Sequence, residues 1–173
     1  MIRRARHTDW PAISRLLDQL EYPGTEAFLP DKFGRMLEDP AETVLVWDSD
    51  PSPSDTTPSD PSQSDPSQSD PRSSDTRSFD TSPSGILGLL SLHIIPQIAL
   101  AGDFARISYF AVETSTRSNG IGRRMEEYAT QLAREKGCEL IEVHCHSRRA
   151  RAHEFYARQG YNESPKYLIK RLK

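Results

Sequence analysis

What this sequence lacks is informative. Hydrophobic residues make up only 35% of its 173 positions, low for a compact domain. It has two cysteines, Cys138 and Cys145, and no CxxC pair, which removes a disulfide framework and the usual zinc modules. No apolar run approaches the roughly 18 residues that read as a membrane span. The opening MIRRARHTDW has no apolar core of a signal peptide, so a reducing, cytoplasmic setting is expected. Basic charge is not in excess either: 22 Lys and Arg against 25 Asp and Glu, a net of −3. That balance disfavours a nucleic-acid binder.

The deficit of apolar residues is concentrated in one place. Residues 49–84 consist almost wholly of Ser, Asp, Pro and Thr, with one Phe. Ser-Asp pairs recur every five residues, at 49, 54, 59, 64, 69 and 74. The segment holds seven Asp and two Arg, a net of −5, so the remainder is weakly basic at +2. Such a stretch has too little to bury to offset the entropy of ordering. It reads as a disordered surface insertion within a single domain spanning 1–173.

The rest alternates between two periods. Residues 2–6 form a short strand. Thr8 can cap a helix over 9–20, with Pro11 in its first turn and Ile13, Leu16, Leu17 and Leu20 on one face. A second helix covers about 29–38. Strands follow at 43–47, 85–95 and 104–112, the last two joined by too few residues for a crossover and so antiparallel. A helix spans about 120–136, with Ile121, Met125, Tyr128, Ala129 and Leu132 as its stripe and Gly137 beyond its end. A strand at 140–145, a helix from a Ser147 cap to Gly160, and a last strand from Tyr167 complete the chain. The order predicts an α/β fold of the mixed-sheet type, with helices on both faces and the insertion in a β-hairpin.

One turn stands out. Val112 ends a strand, and Arg117-Ser-Asn-Gly120-Ile-Gly122-Arg123-Arg124 enters a helix. Free amides and the helix dipole make such an N-terminus attractive to an anion such as a pyrophosphate, and glycine lets it approach. The pattern is neither a P-loop nor a dinucleotide fingerprint.

Here the chain resembles the GNAT superfamily of acyl-CoA-dependent acetyltransferases. Its central motif, [Q/R]-x-x-G-x-[G/A], is matched by Arg117 to Gly122. Its later motif, A-x-x-F-Y-x-x-x-G-[FY], is matched by Ala152-His-Glu-Phe155-Tyr156-Ala-Arg-Gln-Gly160-Tyr161. From LHII to AHEFYARQGY the look is that of small bacterial amine acetyltransferases, including those acting on aminoalkylphosphonates. The resemblance implies a twisted mixed sheet splayed at a cofactor groove. It implies that backbone of Phe110, Ala111 and Val112 pairs with the pantetheine arm, and that Arg117, Ser118, Asn119, Gly120, Ile121, Gly122 and Arg123 surround the pyrophosphate of acetyl-CoA. Tyr156 would protonate the departing thiolate.

The general base is less plain. The family often places a Glu on the strand before the turn, where this chain has Tyr109. Glu113 lies near the turn. Glu142, His144 and His146 alternate along the expected strand, with His146 nearest its C-terminal end, where ligands sit in α/β sheets. His146 is therefore a candidate base or proton relay. His144 and His146 would share a face, but Cys145 points away and no third ligand is evident, so no metal is expected. Arg148, Arg149 and Arg151 could meet phosphates or simply be solvated. The resulting expectation is acetyl transfer from acetyl-CoA to a primary amine of a small molecule. A non-catalytic acyl-CoA sensor and a protein or peptide acetyltransferase are the alternatives. Acceptor pockets in the family are built from loops corresponding to about 21–30 and 96–103 here, and the family's habit of pairing through C-terminal strands implies a homodimer.

Overall fold

The computed structural model describes residues 1–50, 85–164, 170 and 172. Among these, the strands are β1 (Ile2–Arg4), β2 (Glu42–Asp48), β3 (Ile86–Ile95), β4 (Asp103–Val112) and β5 (Cys138–Val143). The helices are α1 (Trp10–Asp18), α2 (Leu29–Glu38), α3 (Ile121–Glu135) and α4 (Ala150–Arg158). The strands form one sheet in sequence order, β1-β2-β3-β4-β5. The first three pairings are antiparallel. β4 and β5 are parallel, because α3 carries the chain back across the sheet between them.

β2 pairs with β3 from Glu42↔His93 to Asp48↔Ile86. Beyond them the Ser49 amide donates to the Gly85 carbonyl at 2.7 Å. The strands on either side of the Ser/Asp/Pro stretch are thus the arms of a hairpin, as expected. Residues 51–84, expected to be disordered, and the expected last strand from Tyr167 lie outside the described residues.

The sheet buries its two faces against different helices. Ile13, Leu16 and Leu17 of α1 and Phe33 of α2 pack on Val44, Val46 and Leu89. Ile121, Met125, Ala129 and Ala133 of α3 pack on Leu45, Leu90, Leu92 and Ile107. Both helix faces follow the three-four spacing of their sequences. Tyr128, expected in the α3 stripe, is exposed; the inward positions next to it are Glu126 and Ala129. Gly88 on β3 faces α3 so closely that a Cβ there would lie 2.6 Å from Met125 Sδ. The missing side chain sets how near α3 can come.

Local chemistry moves some expected boundaries. Thr8 does not cap α1. It lies in a 3-10 turn at His7–Asp9, and α1 begins at Trp10 with no side-chain cap. Asp9 fixes this entry instead. Its carboxylate accepts from the Arg6 amide at 2.7 Å and from the two terminal Arg3 guanidinium nitrogens at 2.8 and 3.0 Å, while Arg3 Nε donates to Asp48 at 2.9 Å. Burial opposes ionisation of Asp9, but these bonds outweigh it and hold the carboxyl below its usual range. Ser147 likewise does not cap α4. The turn before that helix is held by His146, whose Nδ1 accepts the Arg148 amide at 3.2 Å and whose carbonyl accepts the Arg149 amide at 2.9 Å.

Candidate active site

β4 and β5 run together for only half the length of β4. Their pairing goes from Asp103↔Cys138 to Ile107↔Val143 and stops. At that point β4 carries a bulge. Ser91 of β3 pairs with Tyr109 and Leu92 with Ile107, so Ser108 is an extra residue with no opposite number. An extra residue bends and twists its strand. It also changes which side chains face which way, since strand faces alternate with period two. Before the bulge Ala105 and Ile107 face α3; after it Phe110 and Val112 do, and Ala111 turns to the α1–α2 face. From Ser108 to Val112 the edge of β4 towards β5 therefore has no partner strand among the described residues. β5 ends at Val143 rather than Cys145, which places His144, Cys145 and His146 beyond the sheet and removes the alternation expected for them.

The glycine turn lies at the end of this free edge. A short 3-10 turn at Thr114–Thr116 follows β4. Ser118 and Gly120 then both take left-handed backbone, at φ 71° and 78°. Glycine suits that conformation; serine adopts it at a cost of about 1 kcal/mol. Gly120 is the residue before α3, and a Cβ built on it meets nothing within 4 Å. The approach to the first amides of α3 is open. The nearby cations are partly committed. Arg117 Nε donates to the Val112 carbonyl at 3.2 Å, Arg123 pairs with Glu127 at 2.7 Å, and Arg124 lies over the Trp47 ring at 5.8 Å. Gly122 faces Phe155 of α4, with room for an ordinary contact.

Tyr156 stands on α4 in an aromatic cluster. Its ring meets Phe155 at 5.2 Å and Tyr161 at 5.3 Å, and Phe155 meets Phe110 of β4 at 5.8 Å. The chain Phe110–Phe155–Tyr156 thus spans the gap between β4 and α4. Burial, with the Cys145 thiol and the Glu126 carboxylate nearby, pushes the Tyr156 phenol well above its ordinary value. It stays protonated at any physiological pH. Among the described residues its hydroxyl has no hydrogen-bond partner, which is uncommon for an enclosed phenol. Tyr161, by contrast, donates to Glu126 at 3.0 Å, and Thr130 donates to the same Oε1 at 2.7 Å. Glu126 is buried, and the Tyr161 bond anchors the segment after α4 to α3, while the Thr130 bond lies within α3.

The candidate bases fare unequally. Glu113 is committed: it pairs with Arg15, and Gln19 donates to it at 2.8 Å, tying α1 to the turn. His146 is exposed, and its Nδ1 already accepts from Arg148. If neutral it carries its proton on Nε2. Glu142 pairs with Arg106 at 2.6 Å. Arg148 and Arg149 are not free for phosphates either. Arg148 pairs with Glu21, and Arg149 donates to the Leu20 carbonyl at 2.6 Å, so they strap the start of α4 to the end of α1. Among the described residues no group of three or more His, Cys, Asp and Glu is placed to hold a metal ion, and no helix is long and apolar enough to cross a membrane.

On the α1–α2 face of the sheet lies a cavity of about 580 Å³. It opens onto Ser108 and Tyr109, at the bulge, and reaches across Ser91 to Glu42 on β2. Tyr22, Thr25, Phe28 and Leu29 supply one wall, all from the 21–30 segment, and no residue of 96–103 lines it. Tyr109 packs edge-on against Tyr22 at 5.5 Å, and burial pushes its phenol up. Glu42, with His93 Nδ1 at 2.8 Å from its carboxylate, was not singled out from the sequence. The available signal was alternation: Glu42, Val44 and Val46 share one face, as do Leu89, Ser91 and His93. What brings the two sets together is the hairpin register across the insertion.

The model of the Acetyltransferase (GNAT) family matches residues 42–161. Among curated proteins, the aminoalkylphosphonate N-acetyltransferase of Salmonella typhimurium is 33% identical over 79 residues, or 46% of this chain. The chain spans about half, 51%, of that relative's length. Solved structures superpose over nearly the whole chain. An Agrobacterium tumefaciens C58 protein assigned as an acetyltransferase gives a TM-score of 0.71 at 18% identity, covering 99% of both chains. An aminoglycoside acetyltransferase from an uncultured soil sample, in complex with sisomicin, gives 0.70 at 18% identity, covering 100% of this chain and 96% of that one. A Trypanosoma brucei acetyltransferase gives 0.68 at 17%, covering 99% of both. At these identities the superpositions establish the fold.

Proposed function

Because this chain belongs to the GNAT acetyltransferase family, we propose that it moves an acetyl group from acetyl-CoA to a primary amine of a small molecule. The observation that carries the reading is the edge of β4 at 108–112, partnerless among the described residues, ending in the open glycine turn and linked through Phe110 and Phe155 to Tyr156. In this reading the backbone of Phe110, Ala111 and Val112 takes the pantetheine amides in place of a strand. Arg117 to Arg123 surround the pyrophosphate: the amides at the start of α3 supply donors, and Gly120 leaves them accessible.

The chemistry then needs two proton movements. The amine nitrogen attacks the thioester carbonyl, the C–S bond breaks, and CoA leaves as a thiolate. Tyr156 donates its proton or a hydrogen bond to that sulfur. Its raised pKa keeps the donor protonated, and the phenol regains its proton from solvent. The acceptor nitrogen loses one proton in becoming an amide. His146 keeps only Nε2 for exchange with solvent, since Nδ1 is bound to Arg148. An acceptor that enters from the cavity at Tyr109 would meet the thioester where β4 and β5 part.

The test is a calorimetric titration with acetyl-CoA followed by thiol release across an amine panel. Binding with amine-dependent release supports the reading. Absence of acetyl-CoA binding by folded protein would remove it.

A further inference from the structure

We propose that Glu126 is a positioning residue for the Tyr156 donor, acting through the hydroxyl and ring of Tyr161. The proposal rests on the acetyltransferase reading for what Tyr156 does, and on packing alone for how Tyr156 is held.

In that reading Tyr156 presents its hydroxyl to one atom, the departing sulfur. Among the described residues that hydroxyl has no hydrogen-bond partner, so the direction of the ring is set by its neighbours. Two aromatic rings touch it, Phe155 at 5.2 Å and Tyr161 at 5.3 Å. Phe155 is held in turn by Phe110 of β4 at 5.8 Å and lies against Gly122. Tyr161 is held at both ends. Gly160 takes left-handed backbone at φ 88°, which turns the chain back, and the Tyr161 amide donates to the Tyr156 carbonyl at 3.0 Å. At the tip of its ring the Tyr161 hydroxyl donates to Glu126 Oε1 at 3.0 Å. The motif takes Phe or Tyr at this position, so the bond to Glu126 belongs to this chain rather than to the motif.

Glu126 is itself fixed. It is 4% exposed and lies one turn before Thr130 on α3, whose hydroxyl donates to the same oxygen at 2.7 Å. Moving this acceptor would break both bonds and leave two hydroxyls unsatisfied. The buried side of α3 thus braces the neighbour of the donor. The same carboxylate favours the protonated phenol: burial first, then Cys145 and Glu126, oppose its ionisation, against a smaller pull from Arg149.

The test is a double-mutant cycle on the full chain, read by thiol release from acetyl-CoA with the fastest amine of the panel. Tyr161→Phe and Glu126→Leu should each lower kcat about fivefold or more, while KM and Kd for acetyl-CoA stay within about twofold. Glu126→Gln keeps an oxygen for both hydroxyls and should recover most of that loss. In a Tyr156→Phe background the same substitutions should change kcat by less than about twofold, since the hydroxyl they act through is gone. Equal losses in both backgrounds would mark a purely structural role and overturn the proposal. So would an undiminished kcat in either variant that melts as the parent does. If Glu126→Leu does not fold, Tyr161→Phe carries the same cycle. Flipping of the Tyr156 ring, followed by NMR of tyrosine-labelled protein, is a readout free of turnover. It should quicken in Tyr161→Phe, and unchanged flipping would overturn the brace. Quickened flipping in a protein that binds no acetyl-CoA would keep the brace and defeat the acetyltransferase reading instead.

Discussion

Replacing Tyr156 by Phe separates chemistry from packing unusually well in this molecule. The ring keeps its contacts with Phe155 at 5.2 Å and Tyr161 at 5.3 Å. The hydroxyl it loses has no partner among the described residues, so no buried donor or acceptor is orphaned. Stability should therefore change by less than about 1 kcal/mol. The effect on turnover follows from the direction of the pKa. A thiol titrates near 8.5 and a phenol near 10, and burial pushes Tyr156 higher still. Full proton transfer from Tyr156 to a leaving thiolate is thus uphill. What the phenol gives is a hydrogen bond to a developing anion, about 1.5–3 kcal/mol. That corresponds to a loss of roughly 10- to 150-fold in kcat, near the lower end of general-acid effects. Thiol release at saturating acetyl-CoA measures kcat, calorimetry measures Kd, and thermal melting verifies the fold. Turnover within threefold of the parent, in a variant that melts normally, would refute a role for Tyr156. A loss beyond 10⁴-fold would refute the hydrogen-bond estimate and imply full transfer.

Other outcomes follow from the same geometry. Gly120→Glu puts a charged side chain at a left-handed position with open space ahead of it; acetyl-CoA affinity should be abolished while the melt shifts only modestly, and retained affinity in a titration would mislocate the pyrophosphate. Gly88→Ala drives a methyl to 2.6 Å from Met125 Sδ and 3.1 Å from Trp47 Cβ, so denaturant unfolding should show a loss of about 1–3 kcal/mol. Above about pH 10 the unfolded chain gives up phenolic protons that native Tyr156 and Tyr161 retain; the native state then binds more protons, so stability must fall as pH rises through that region, and Tyr156→Phe should flatten the fall in a pH series of unfolding curves. Excising residues 51–83 leaves Ser49 and Gly85 to close the hairpin, and both the melt and thiol release should be unchanged if the stretch is only an insertion.

Much of this architecture can be read from the chain because its signals are local. The stripes of α1 and α2, the glycine turn and the hairpin around the insertion all rest on spacing over a few residues. The end of β5 does not. Val143-His-Cys reads as continuing strand, and nothing nearby forbids it. The strand stops because its neighbour moves away at Ser108, a cause thirty-five residues upstream in sequence. The bulge itself had a faint trace: apolar positions 105 and 107 give way to 110 and 112, a break in parity. Glu42 and His93 were illegible as a pair, since the register that joins them is set between strands about fifty residues apart in sequence. The site motifs around Gly120 and Tyr156 were visible as residues; the absence of a partner for the phenol among the described residues required three dimensions.

The free half of β4 carries a further implication. It is an edge strand that lies inside the sheet rather than at its rim. Edges elsewhere can be shielded by charge or proline, but this one must stay accessible if it takes the pantetheine arm as proposed. Whatever occupies it completes the sheet. Acetyl-CoA would therefore act as a sixth strand in all but covalent continuity, and the resting protein would be a sheet awaiting its last member. In that state the slot is open to any extended peptide of suitable width. On the proposed reading, occupancy by the cofactor would cover the edge as well as prepare for catalysis.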